Sequence, residues 1–264
     1  LLPNATSVAV FDTAFHQTMP RKNYLYALPY EYYTKYGARK YGAHGTSHRY
    51  VAARTAEILG KPLEDLKIVT LHLGAGASIT AIKDGKSLDT SMGFTPLAGL
   101  MMATRAGDVD PSLIYYIQER EGLSNGEMLK ILNNKSGLLG VSTLSSDMRD
   151  LEEVADTNEH AKLALDMFLN RVIRYLGQYT FEMGGVDAIV FTAGIGENGI
   201  GNRDAICNGL EYLGTRIDSE RNNIRGKEQE ISAEGSKVKI FVIPTNEEIM
   251  IARDTQRITS ALKK

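Results

Sequence analysis

The chain has 264 residues, enough for one large domain or two smaller ones around a substantial core. Thirty lysines and arginines against 32 acidic residues leave a formal charge of −2 with no dense basic run, which argues against a nucleic-acid surface and for a small-molecule ligand. A lone Cys207 excludes a disulfide framework and a cysteine metal site, and short, interrupted apolar runs exclude a bilayer span and a signal peptide, so a soluble cytoplasmic chain is expected.

In chain order, Leu1-Leu2-Pro3-Asn4 reads as an exposed connector, the mark of a fragment or processed chain. Ser7 to Phe11 is a short apolar run ending at Asp12, which predicts a buried strand with a carboxylate at its end. Tyr24 to Tyr36, tyrosine-rich and interrupted by Pro29, predicts a connector and a short helix. The Gly45-Thr46-Ser47 turn feeds a helix over His48 to Leu59, closed by Gly60 and Pro62. Leu66 to Leu73, Gly74-Ala75-Gly76 and Ala77 to Lys83 predict a strand, a turn and a second strand, with Asp84-Gly85 opening a further hairpin. Helices are expected over Pro111 to Glu121 and Asn125 to Leu132, and a loop of small, hydroxylic residues over Gly137 to Ser146.

Ala161 through Met183 spaces Leu165, Phe168, Val172, Ile173, Leu176 and Tyr179 by three and four, which predicts a long amphipathic helix packed on a sheet. Val186 to Thr192 predicts a buried strand ending in Ala193-Gly194-Ile195-Gly196-Glu197-Asn198, followed by a helix over Arg203 to Leu213. Lys237 to Ile243 predicts a strand ending at Pro244, and Glu247 to Leu262 a closing helix. With no internal repeat and no low-complexity segment, the fold class is α/β.

Three small-residue turns, Gly74-Ala75-Gly76, Gly194 to Asn198 and the one at Gly45, leave backbone N–H groups open to a phosphate. Neither the Walker pattern nor the full dinucleotide pattern is present, which disfavours a phosphate-loop ATPase or a dehydrogenase. His44 precedes its turn and is placed to donate to a phosphoryl oxygen, whereas His48 is expected to cap or pack at the helix start. Arg105 lies in a loop before a helix, where its planar donors suit a phosphoryl group or, equally, an ion pair with Asp108. Asp12 and Glu247 end β-like runs and suit magnesium or an attacking oxygen, with helix capping as the plainer role of each.

Long stretches now become specific. Phe11-Asp12-Thr13-Ala14-Phe15-His16, His44-Gly45-Thr46-Ser47-His48-Arg49-Tyr50-Val51, Asp89-Thr90-Ser91-Met92-Gly93-Phe94-Thr95-Pro96, Ser145-Ser146-Asp147-Met148-Arg149-Asp150-Leu151, Phe191 to Asn198 and Pro244-Thr245-Asn246-Glu247-Glu248 resemble the acetate kinases, in family order across nearly the whole chain. The resemblance implies the ribonuclease H-like fold of the acetate and sugar kinase, Hsp70 and actin superfamily, a mixed sheet flanked by helices. It implies residues 1–14 as a remnant of a first domain, 15–246 as a second, nucleotide-binding and dimerising domain, and 247–264 as a closing helix of the first. The reaction implied is reversible Mg²⁺-dependent transfer of the ATP γ-phosphoryl group to acetate, giving acetyl phosphate and ADP, in a cytoplasmic homodimer.

By the same resemblance Asp12, His44 and Arg105 would be catalytic and Glu247 would help hold Mg²⁺. His72, Leu73, Gly74, Ala75, Gly76, Asp147, Met148, Arg149, Gly194, Ile195, Gly196, Glu197 and Asn198 would line the nucleotide site, and Ala43 and Pro96 the acyl pocket. Two departures qualify this. The family's N-terminal segment has no counterpart here, so weak activity is expected of this chain alone. Alanine also stands at 43, 75, 98, 103 and 106 where the family has an aromatic, an asparagine, a glutamate, a glycine and a small polar or thiol residue. An enlarged pocket at Ala43 leaves a propionate or butyrate kinase as one alternative, and a nucleotide-binding or dimerising module without transfer activity as another.

Overall fold

In the computed structural model, which describes residues 5–262, a single sheet is buried on both faces, and this explains why its central strands read as continuous apolar runs. The strands are β1 (Ile68–Leu73), β2 (Ala77–Lys83), β3 (Lys86–Thr90), β4 (Ala188–Thr192), β5 (Gln229–Glu230) and β6 (Lys239–Val242), in the order β3-β2-β1-β4-β6-β5. β1, β4 and β6 run parallel, and β2, β3 and β5 run antiparallel to their neighbours. Asp84 and Gly85 both adopt left-handed backbone, at φ 54° and 71°, which closes the β2–β3 hairpin. A mixed sheet flanked by helices is thus present, as the resemblance implies.

Strand alternation sorts the core into two layers. Val69, Leu71, Leu73, Ile189, Phe191, Ile240 and Val242 face one way and pack under the Glu159–Met183 helix through Phe168, Val172, Leu176 and Tyr179. Ile68, Ile82, Ala188, Val190 and Phe241 face the other way and meet Val51, Ala52 and Ala56 of the Gly45–Leu59 helix. Toward the carboxyl end of β1 this second layer turns polar: Thr70, Ser78, Ser47 and His48 are all buried beneath the first turn of that helix.

Four expectations need correction. Ser7 to Phe11 forms no strand and leaves Phe11 69% exposed, because an apolar run becomes a strand only beside a pairing neighbour and none lies alongside among the described residues. Gly137 to Ser146 is not all loop, since Gly137–Ser142 is helical. The 193–198 turn coils as a short helix, Ala193–Asn198. The helix expected over Arg203 to Leu213 begins earlier, as Ile200–Asn208, and breaks before a 3₁₀ turn at Glu211–Leu213. The Leu1-Leu2-Pro3-Asn4 connector lies outside the described residues.

Candidate functional site

The loops that follow β1, β4 and β6 all leave the carboxyl ends of parallel strands, where open α/β sheets bind their ligands. The Gly45–Leu59 helix begins at the same edge, and Asp12 holds its start. Asp12 Oδ2 accepts the His44 N–H at 2.6 Å, Oδ1 the Thr46 N–H at 3.5 Å, and the Asp12 carbonyl the Gly45 N–H at 2.8 Å. A carboxylate at a helix N-terminus satisfies orphan donors and opposes the helix dipole, so the capping role weighed for Asp12 is present. Glycine is required at 45 because a Cβ there would stand 2.3 Å from the Asp12 carbonyl oxygen.

His44 takes left-handed backbone, φ 55° and ψ 23°, an uncommon state for a non-glycine residue and one that aims its ring back over the sheet edge. Its Nδ1 lies 2.8 Å from Ser78 Oγ, and its ring stacks on His72 at 4.0 Å. Burial pushes the His44 imidazole below its ordinary range, with the Arg105 charge acting the same way and Asp12 opposing. Burial pushes His72 down to about 3. His48 is fully buried and packed at the helix start, bonded to Thr70 and Ser78, and caps nothing.

Arg105 makes no pair with Asp108. Its Nη1 donates to the Pro96 carbonyl at 2.9 Å, while Asp108 accepts from the Gly99 N–H and the Tyr175 hydroxyl. Its Nη2 faces Gly76: a Cβ on that glycine would meet Arg105 Nη2 and His44 Nε2, each at 3.5 Å. An imidazole nitrogen, a guanidinium without a carboxylate partner and a bare glycine thus share one small space beside the Gly74-Ala75-Gly76 turn.

Behind that turn opens a cavity of about 640 Å³. Gly74, Ala75, Asp147, Met148, Arg149, Gly194, Ile195 and Asn198 line it, so most residues expected to hold a nucleotide come together. Asp147 caps the Met148–Val154 helix by accepting from the Arg149 N–H, and its side chain pairs with the Arg149 guanidinium at 2.6 Å. His72, Leu73, Gly76, Gly196 and Glu197 are not among the lining residues. Leu73 is core, Gly196 packs on the Phe191 backbone, and Glu197 Oε1 ties Ala193 N–H to Thr245 N–H. Ala103, Leu138, Ser146, Glu152, Gly199, Asn202 and Arg225 also line the cavity and were not expected to. Glu152 sits one helical turn beyond Met148 on the same helix, a spacing that points the same way, whereas Asn202 lies in the helix after the Gly199 break and Arg225 follows no motif.

Ala43 is buried and its carbonyl accepts from His16 Nε2 at 2.9 Å, while Pro96 is exposed. Glu247 starts the Glu247–Leu262 helix with its carboxyl pushed up by burial, by the facing Asp12 and by Glu248. Two neighbouring carboxylates that repel each other suit a divalent cation, and Mg²⁺ is commonly held by one or two carboxylates with phosphates and water completing its shell. No group of three or more metal-ligating side chains occurs among the described residues.

The sequence pattern of the acetokinase family matches residues 1–253. An acetate kinase of Limosilactobacillus fermentum is 61% identical over 259 residues, which cover 98% of this chain and 65% of that protein. The crystal structure of Porphyromonas gingivalis acetate kinase superposes with a TM-score of 0.95 at 52% identity, over 98% of this chain and 65% of that one. That of a propionate kinase from Francisella tularensis gives 0.88 at 47%, over 94% and 63%. The chain therefore spans about 65% of the length of these relatives. With the family pattern over nearly its whole length and the sheet-edge loops in their family order, the chain belongs to the acetokinase family.

Proposed function

We propose that this chain carries the nucleotide half of an acetate kinase site, for reversible transfer of the ATP γ-phosphoryl group to acetate with release of ADP and acetyl phosphate. The observation that carries this reading is the meeting of His44 Nε2 and Arg105 Nη2 over Gly76, in the same turn whose Gly74 and Ala75 line the cavity together with Gly194, Ile195 and Asn198. Phosphoryl transfer asks little covalent work of a protein: positioning and charge stabilisation suffice. Arg105 would spread two donors over the equatorial oxygens while the Pro96 carbonyl fixes its guanidinium. His44 would add a third donor, and Pro96 and Ala43 would border the acyl group.

Asp12 and Glu247 would hold Mg²⁺, which supplies neutralisation of phosphate charge when bound. Exposed Phe11, Ile249 and Ile251 support assigning residues 1–14 and 247–264 to a neighbouring first domain, with 15–246 as the second. A cytoplasmic location fits the single, buried, unpaired Cys207.

Calorimetric titration with MgADP tests the reading: saturable binding is expected, and none would overturn it. Arg105→Ala is expected to leave that binding in place while lowering hydroxamate-trapped acetyl phosphate by about 10²–10³-fold. Offering propionate and butyrate beside acetate checks the acceptor, since faster turnover of either longer acid would remove acetate from the proposal.

A homodimer belongs to the same reading. The Pro111–Glu121 helix buries none of its residues and shows Leu113, Tyr115 and Tyr116 to solvent, more apolar surface than an unpartnered helix carries without cost. Light scattering should return twice the chain mass, and a monomer at micromolar concentration would refute the dimer.

A further inference from the structure

Beneath the candidate site lies a hydrogen-bonded row that the roles above do not use. Ser78 Oγ stands 2.8 Å from His44 Nδ1 and 2.7 Å from His48 Nε2, and His48 Nδ1 stands 2.7 Å from Thr70 Oγ1. Thr70, His48 and Ser78 are fully buried, out of contact with bulk solvent. A serine hydroxyl has one proton and two lone pairs, so Ser78 leaves no proton of its own stranded only when it donates to one imidazole and accepts from the other. Burial pushes His48 well below its ordinary range, so it is neutral near pH 7 and carries one N–H.

Two arrangements let Ser78 do both. If the row runs inward, His44 Nδ1–H donates to Ser78, Ser78 to His48 Nε2, and His48 Nδ1–H to Thr70. The Thr70 proton is then left without an acceptor, because His48 Nδ1 is the only hydrogen-bond partner of Thr70 Oγ1 among the described residues. A buried hydroxyl deprived of its acceptor loses the full value of its hydration. If the row runs outward, Thr70 donates to His48 Nδ1, His48 Nε2–H to Ser78, and Ser78 to His44 Nδ1. Every buried proton then has an acceptor, and the last one sits on His44 Nε2, which faces Gly76 and Arg105.

We propose that Thr70, His48 and Ser78 form a positioning relay that fixes His44 as its Nε2–H tautomer, so that it presents a donor and never a lone pair to an anionic oxygen at Gly76. The relay residues touch no ligand and act through the ring of His44. His16 steadies the same turn from the side, since its Nε2 donates to the carbonyl of Ala43, the residue before His44. The identity of the oxygen as a phosphoryl oxygen rests on the function proposed above, but the tautomer does not.

Long-range proton–nitrogen correlation spectra of ¹⁵N-histidine-labelled protein near neutral pH read the tautomers directly. In the unaltered chain, His44 and His48 should each show a protonated Nε2 and an unprotonated Nδ1. In Ser78→Ala, His44 should move to a mixture of both tautomers, and inorganic phosphate should bind roughly tenfold more weakly in the presence of MgADP. Protonation of His44 at Nδ1 in the unaltered chain overturns the relay without recourse to any variant. So does a Ser78→Ala protein that keeps both the single tautomer and the phosphate affinity. The expected tautomers in a chain that binds neither MgADP nor phosphate would uphold the relay and sink the nucleotide reading instead.

Discussion

Arg203→Ala is expected to lower the free energy of unfolding by about 3–5 kcal/mol, read as a fall in the urea midpoint. The guanidinium is fully buried, and no carboxylate pairs with it among the described residues. Carbonyl and amide oxygens do that work. Nε donates to Asn222 Oδ1 at 2.7 Å, Nη1 to the Gly196 carbonyl at 2.9 Å, and Nη2 to the carbonyls of Asn222 and Ile224 at 2.8 and 2.9 Å. Burial and the nearby Arg225 charge push Arg203 down to about 10, which still leaves it charged at neutral pH. Alanine would strand several buried acceptors and open a void where the side chain had been.

The position of those acceptors links stability to the site. Gly196 lies within the loop that forms one wall of the cavity, and Ile224 precedes Arg225 on another, so Arg203 fastens the two together. Lysine cannot span them, because one ammonium replaces a fixed fork of donors. Arg203→Lys should therefore also weaken MgADP binding. A loss below about 1 kcal/mol in Arg203→Ala, the range of ordinary surface changes, would show that the carbonyl shell contributes little.

What the sequence disclosed and withheld follows one physical division. Local rules fix the Glu159–Met183 helix, where a stripe at spacings of three and four meets an Asn158 cap, and the β2–β3 hairpin, where Asp84-Gly85 supplies left-handed backbone. The glycine-rich turns were legible for the same reason, as were His44 and Arg105 beside them. Helix Gly137–Ser142 was not, because it is held from outside: Leu138 N–H and Leu139 N–H donate to the carbonyls of Met102 and Ala103. Ser7 to Phe11 misled for the opposite reason, having the composition of a strand and nothing to pair with among the described residues. At the site, Arg225 arrives from an irregular segment, and Thr70 and Ser78 look like ordinary strand residues until the sheet sets them under His48. Tertiary contacts of that kind leave no periodicity.

The same buried imidazoles set the chain's response to acid. Burial pushes His16 down to about 4 and His72 down to about 3, and lowers His44 and His48 as well. In the unfolded chain all four return to about 6.5. Above that pH neither state binds these protons, and stability from this source is complete. As pH falls below about 6.5 the unfolded chain takes up protons that the folded chain refuses, so each group removes up to about 1.4 kcal/mol per pH unit until its folded value is reached. Asp89, Glu182 and Glu247, whose carboxyls are raised chiefly by burial, bind protons in the folded state and offset part of this loss at lower pH. His16 and His72 together remove about 2–3 kcal/mol over the first unit, and His44 and His48 act in the same direction, so stability falls steeply below about pH 6.5. The slope of urea-derived stability against pH should correspond to uptake of about two protons or more on unfolding near pH 5.5. An uptake of one proton or fewer would mean that these imidazoles are already charged in the folded chain, against the neutral His48 that the relay requires.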